Sequence, residues 1–149
     1  MNELYRNKAG YSDPTAGKAL SRIARKESSK AEKERMAAVR RRPLVYICSR
    51  YAGNTELNVF RAIGFCRYAV RCGMIPVASH LLYPQILEDS VPAQRELGLQ
   101  FGLALLDRCS EIWVFNENRE LSEGMRLEIG HARKMGIPVR FHDMKEIER

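Results

Sequence analysis

A chain of 149 residues, 45% hydrophobic and 29% charged with a formal net charge of +7, has the size and balance of one ordinary domain. No apolar run approaches the ~18 residues of a membrane span, and the polar first twenty residues predict no secretory signal, so a cytoplasmic location is expected and a membrane partner is not. Cys48, Cys66, Cys72 and Cys109 form no CxxC pair and have no histidine at metal-ligand spacing. They read as small core residues in a reducing compartment, with neither a metal site nor a cofactor expected.

The charge divides the chain. Residues 1–42 hold 12 Lys/Arg against 5 Asp/Glu, whereas residues 43–149 hold 13 of each. The expected organisation is a basic helical arm over 1–42 and a balanced domain over 43–149. In the arm, Asp13 is a helix N-cap and Pro14 a first helical residue. Ala16, Ala19, Leu20, Ile23 and Ala24 recur at helical spacing, which predicts a helix that docks by its first three turns and closes at Arg40-Arg41-Arg42. Its basic residues suit a nucleic-acid phosphate backbone, but also suit a solvated linker or a docking arm for a sister subunit.

Within the domain, Leu44–Cys48 is an apolar run that reads as a buried strand. A helix over 54–72 follows, with an apolar face of Leu57, Phe60, Ile63, Phe65, Cys66, Ala69 and Val70, ended by Gly73. Met74–Ala78 is a second strand, and Pro76 within it argues for a sheet edge. A loop with His80, Tyr83 and Pro84 leads to a helix over 92–108. That helix has two apolar faces, so it predicts either a homo-oligomer contact or a wholly buried helix, and Gly98 and Gly102 let a neighbour approach closely. Glu111–Phe115 is the third strand, Asn116–Arg119 a turn, Ser122–Met135 a helix and Ile137–Phe141 a last strand. This alternation predicts a parallel α/β sheet of four to five strands with helices on both faces. Ligands of such sheets bind beyond the carboxyl ends of the strands, here 49–54, 79–84 and 116–124.

One carboxylate stands out by its angle. With Met125 at 0° and about 100° per residue, Ile129, Ala132 and Gly136 fall on the core-facing arc and Glu128 on its flank, near the helix start. A glutamate there is partly desolvated, its pKa raised by burial and opposed by the helix N-terminus. It is a candidate nucleophile or general base, or else leans outward to a surface arginine such as Arg95 or Arg133. Ser49, Arg50, Tyr51, Gly53 and Asn54 follow the first strand and His80 and Tyr83 the second; Asn116, Ser122, Glu123, Gly124 and Met125 lead into the Glu128 helix. These form the candidate binding set. Tyr51 and Tyr83 suit either stacking on a base or sealing the mouth, and no GxGxxG or P-loop pattern is present.

Tyr46–Tyr51, Gly73–Val77, Glu111–Phe115, Gly124–Ala132 and Gly136–Val139 together resemble the nucleoside 2-deoxyribosyltransferase-like superfamily, in particular a branch of uncharacterised proteins of bacteria, phages and mobile elements. The resemblance covers about residues 43–142. It implies a flavodoxin-like fold and a pocket for a nucleoside or nucleotide. The glutamate of the family's Glu-x-Gly-x-Ala segment, which attacks the anomeric carbon, maps onto Glu128. It further implies that Ser49 to Tyr51 line the pocket and Ser122 to Gly124 hold the sugar. The implied chemistry is transfer or hydrolysis at an N-glycosidic bond. Where many members carry an aspartate before the third strand, Ser110 stands here, and Asp107, one helical turn earlier, is the substitute acid. The alternatives are a protein that binds a nucleotide or signalling nucleotide without turnover, and a nucleic-acid-associated protein acting through the arm.

Overall fold

The computed structural model describes residues 14–116 and 120–147. They fall into two units, Met1–Arg41 and Arg42–Arg149. In the first, helix α1 runs over Pro14–Arg40 with none of its residues buried, Leu20 and Ile23 included. The proposed cap Asp13 lies outside the described residues.

The second unit is built on four parallel strands, β1 (Leu44–Ser49), β2 (Ile75–Val77), β3 (Glu111–Phe115) and β4 (Val139–His142), in the order β2-β1-β3-β4. Pro76 sits on the edge strand β2, where its missing N–H removes no ladder bond the sheet needs. Strand alternation sorts the core into two layers. Tyr46, Cys48, Ile112 and Val114 face helices α4 (Pro92–Leu106) and α5 (Glu123–Lys134). Val45, Ile47, Trp113 and Phe115 face helix α2 (Thr55–Arg71) and the C-terminal segment around Met144 and Ile147. The result is the flavodoxin-like α/β architecture. The chain winds outward from β1 to β2, returns past β1 to β3, and continues to β4, so the winding reverses between β1 and β3.

Three details differ from the sequence expectation. The buried side of α2 is Asn58, Ala62, Phe65 and Ala69, whereas Phe60 is 71% exposed and Leu57, Ile63 and Val70 also face out. Apolar residues wrap more than half of this helix, and Asn58 is drawn inward because its amide donates to the carbonyls of Tyr51 (3.1 Å) and Ala52 (3.1 Å). Residues 79–85 form a short helix, α3 (Ser79–Leu82), and a 3-10 turn rather than an open loop. Cys72 is exposed at the C-cap of α2 instead of in the core. Leu97 and Phe101 on α4 are left exposed in the single chain.

Candidate functional site

The centre of the site is a phenol. Tyr46 is fully buried on β1, and a buried hydroxyl needs partners. Its Oη donates to Glu128 Oε1 at 2.7 Å, which leaves Ser79 to donate to Tyr46 across the 2.6 Å between their oxygens. Ser79 reaches this position because β2 ends at Val77 and α3 begins at once. Gly102 on α4 makes room: a Cβ there would lie 3.1 Å from both Ser79 Oγ and Tyr46 Oη. Glu128 is brought in from the other side by α5, whose Met125, Ile129 and Ala132 pack into the core. The Ser122 hydroxyl caps that helix by accepting the Met125 N–H.

Burial raises the Glu128 carboxyl above the ordinary range, while hydrogen bonds from Tyr46 and Cys48 oppose the rise. The Tyr46 phenol and the Cys48 thiol are both pushed well up, first by burial and then by the neighbouring Glu128 charge. Both therefore keep their protons at neutral pH; the phenol presents its proton to Glu128, and the thiol points to the Met125 carbonyl oxygen, 4.0 Å away.

Glu128 opens onto a cavity of about 330 Å³ beyond the carboxyl ends of β1 and β2, inside the ~300–1,000 Å³ typical of small-molecule sites. Of the expected binding set, Ser49, Tyr51, His80, Tyr83, Ser122, Glu123, Gly124 and Met125 line this cavity with Glu128. His80 Nε2 lies 3.0 Å from Ser49 Oγ, and burial lowers the imidazole to about 4, so it is neutral near pH 7. Tyr83 packs on Phe101 with ring centroids 5.3 Å apart.

Other expected residues fall elsewhere. Arg50 and Asn116 line a second hollow of about 150 Å³ at the reversal between β1 and β3, shared with Ser49 and Met125; Arg50 there faces Glu120 at 4.0 Å. Asn54 caps α2 by accepting the Leu57 N–H, and Gly53 supplies the positive φ of 99° that turns the chain into it. Neither lines either of these two cavities. Asp107 does not join Glu128. Helix α4 runs back toward the amino ends of the strands, so its C-cap Asp107 lies at the far end of the sheet, 2.6 Å from His131 Nε2. The turn residues Glu117, Asn118 and Arg119 lie outside the described residues.

The sequence reading missed Tyr46, Ser79, Asp89 and Gln94, all in or beneath the cavity; Arg95, named from the sequence only as an outward partner for Glu128, lines the cavity with it. Tyr46 carried a usable signal, because it alternates with Cys48 onto the face that α5 covers. Among the described residues, no group of three or more His, Cys, Asp or Glu could hold a metal ion, and no helix is long and apolar enough to cross a membrane.

Residues 43–142 match a domain of unknown function, DUF7768. No curated protein matches the sequence. Among solved structures, the fold is similar to that of a 2-deoxyribosyltransferase from the psychrotolerant bacterium Bacillus psychrosaccharolyticus. The TM-score is 0.54 at 16% identity, over 67% of this chain and 72% of that one.

Proposed function

We propose that this chain, which belongs to the DUF7768 family, acts on the N-glycosidic bond of a nucleoside or nucleotide with Glu128 as its nucleophile. The observation that carries the reading is a desolvated carboxylate, fixed at 2.7 Å by a buried phenol, on the floor of a cavity at the carboxyl ends of a doubly wound sheet. The similar fold of a 2-deoxyribosyltransferase supports it. Tyr46 occupies Oε1, which leaves Oε2 to attack the anomeric carbon as the bond to the base nitrogen breaks. The departing base takes the bonding electrons and a proton. The resulting glycosyl-enzyme ester is then opened by water, for hydrolysis, or by a second base, for transfer. With Asp107 at the other end of the sheet, Asp89 and Glu123 are the further carboxyls that line the cavity, and one of them is the acid for the base. Helix α4, with Leu97 and Phe101 outward, is the surface for a second copy.

The test is release of free base, followed by chromatography, from a panel of nucleosides, nucleoside monophosphates and NAD. Glu128→Gln should lower the rate by at least about 10³-fold, the scale of losing a covalent nucleophile. Release that survives this substitution undiminished overturns the proposal.

A second reading is capture of the nucleotide without turnover, favoured by Ser110 in front of β3 and by the remoteness of Asp107. It requires nucleotide-induced thermal stabilisation with no product.

A further inference from the structure

We propose that α1 is a docking strip for the phosphate backbone of a nucleic-acid duplex, independent of the cavity chemistry. At about 100° per residue, Lys18, Arg22, Arg25, Lys26, Lys30, Lys33 and Arg40 fall within an arc of about 140° on one side of the helix. Ala16, Leu20, Glu27, Ala31, Glu34 and Ala38 take the opposite side. Every residue from Lys18 to Arg35 is exposed. The one ion pair on the helix among the described residues is Arg35 with Glu32, at 2.8 Å, and Arg35 lies off the strip. The seven strip cations thus keep their charge for an external partner. Several also sit three or four residues apart, as Lys18/Arg22, Arg22/Lys26 and Lys26/Lys30 do, and repel one another unless a polyanion lies alongside.

The chemistry selects the partner. From Lys18 to Arg40 the strip extends about 33 Å, close to one turn of a duplex. Helix α1 contains no aromatic residue, so it offers no platform for the base stacking on which single-strand recognition rests. It has no asparagine or glutamine for reading adenine, which leaves backbone contact with little dependence on sequence. Glu27 and Glu34 interrupt the side opposite the strip, unlike a helix that lies in a membrane interface.

The experiment uses the full chain and a fluorescein-labelled 24-base-pair duplex of mixed sequence, followed by anisotropy from 50 to 200 mM salt. Seven phosphate contacts give a slope of log K against log salt of about −6. Replacing Arg22, Lys26, Lys30 and Lys33 by Gln, a good helix former, should bring the slope to about −3 and weaken binding at least tenfold. A charge-matched variant with Arg67, Arg126, Arg133 and Lys134 replaced by Gln should bind as the unsubstituted chain does. In the unsubstituted chain, the duplex should shield Lys18, Lys26, Lys30 and Lys33, but not Lys134, from acetylation. Absence of salt-sensitive binding, equal weakening in the charge-matched variant, unshielded strip lysines, or binding to phosphatidylserine vesicles in place of the duplex each overturns the proposal.

Discussion

Tyr46 couples three elements through one oxygen, accepting a hydrogen bond from Ser79 after β2 and donating one to Glu128 on α5. Tyr46→Phe removes the hydrogen bond that holds the carboxyl down, so the Glu128 pKa climbs further. The nucleophile must be ionised, and the acid limb of the pH–rate profile for base release should therefore move to higher pH. The orphaned Ser79 hydroxyl should lower stability by about 1–2 kcal/mol in urea unfolding. His80 gives a second pH signature. Its folded pKa of about 4 lies below the ~6.5 of an unfolded histidine, so the unfolded chain binds more protons between those values. The stability His80 provides is complete above pH 6.5 and falls by about 2 kcal/mol on going to pH 5. Glu128, with a raised pKa, acts in the opposite sense: its contribution is present at acid pH and declines as pH rises from 4.5 through the folded value. His80→Gln should flatten the acid-side loss measured by urea unfolding at pH 7 and pH 5. Of these residues the sequence pointed to Glu128 and His80 by position. Tyr46 was hidden because a phenol in an apolar strand looks like filler until its partner is seen.

Elements were legible to the extent that one physical cause dominated them. Strands β1 and β3 are unbroken apolar runs inside a doubly covered sheet, and their limits follow from Pro43, the polar turn after Ser49 and the polar residues after Phe115. Helix α2 was legible but its buried face only in part, through Phe65 and Ala69, because its apolar residues cover too wide an arc to mark one side, and the deciding contact is the amide of Asn58 on two loop carbonyls. In α4 the two glycines separate cleanly. At Gly102 an added methyl meets two buried, hydrogen-bonded oxygens at 3.1 Å, and Gly102→Ala should cost about 1–3 kcal/mol and loosen the hold on Glu128. At Gly98 the nearest atoms, on Leu87 and Tyr83, lie at 3.5 and 3.9 Å, ordinary contact distances. Gly98→Ala should be neutral or stabilising by up to about 1 kcal/mol, since alanine is the better helix former. Denaturant midpoints of the two variants, compared with base release, check both.

At the scale of the whole molecule, the chain divides into the units Met1–Arg41 and Arg42–Arg149. Helix α1 buries none of its residues, whereas the second unit buries two core layers. The two units should unfold differently. Trp113, the one tryptophan, is 6% exposed within the domain and reports on it alone. Its fluorescence should change in a single sharp thermal transition. Ellipticity at 222 nm should show in addition a broad loss at lower temperature, from a helix none of whose residues is buried. Coincident curves would mean that the arm is held by the domain.

Ser49 and Met125 line both hollows, so the two chambers adjoin at one hydroxymethyl group and one thioether chain. Trimming Met125 to alanine would open a doorway between the compartment floored by Glu128 and the one bordered by Arg50. An occupant too long for the first could then extend into the second, and the enlarged vestibule would be a natural starting point for redirecting what the protein accepts.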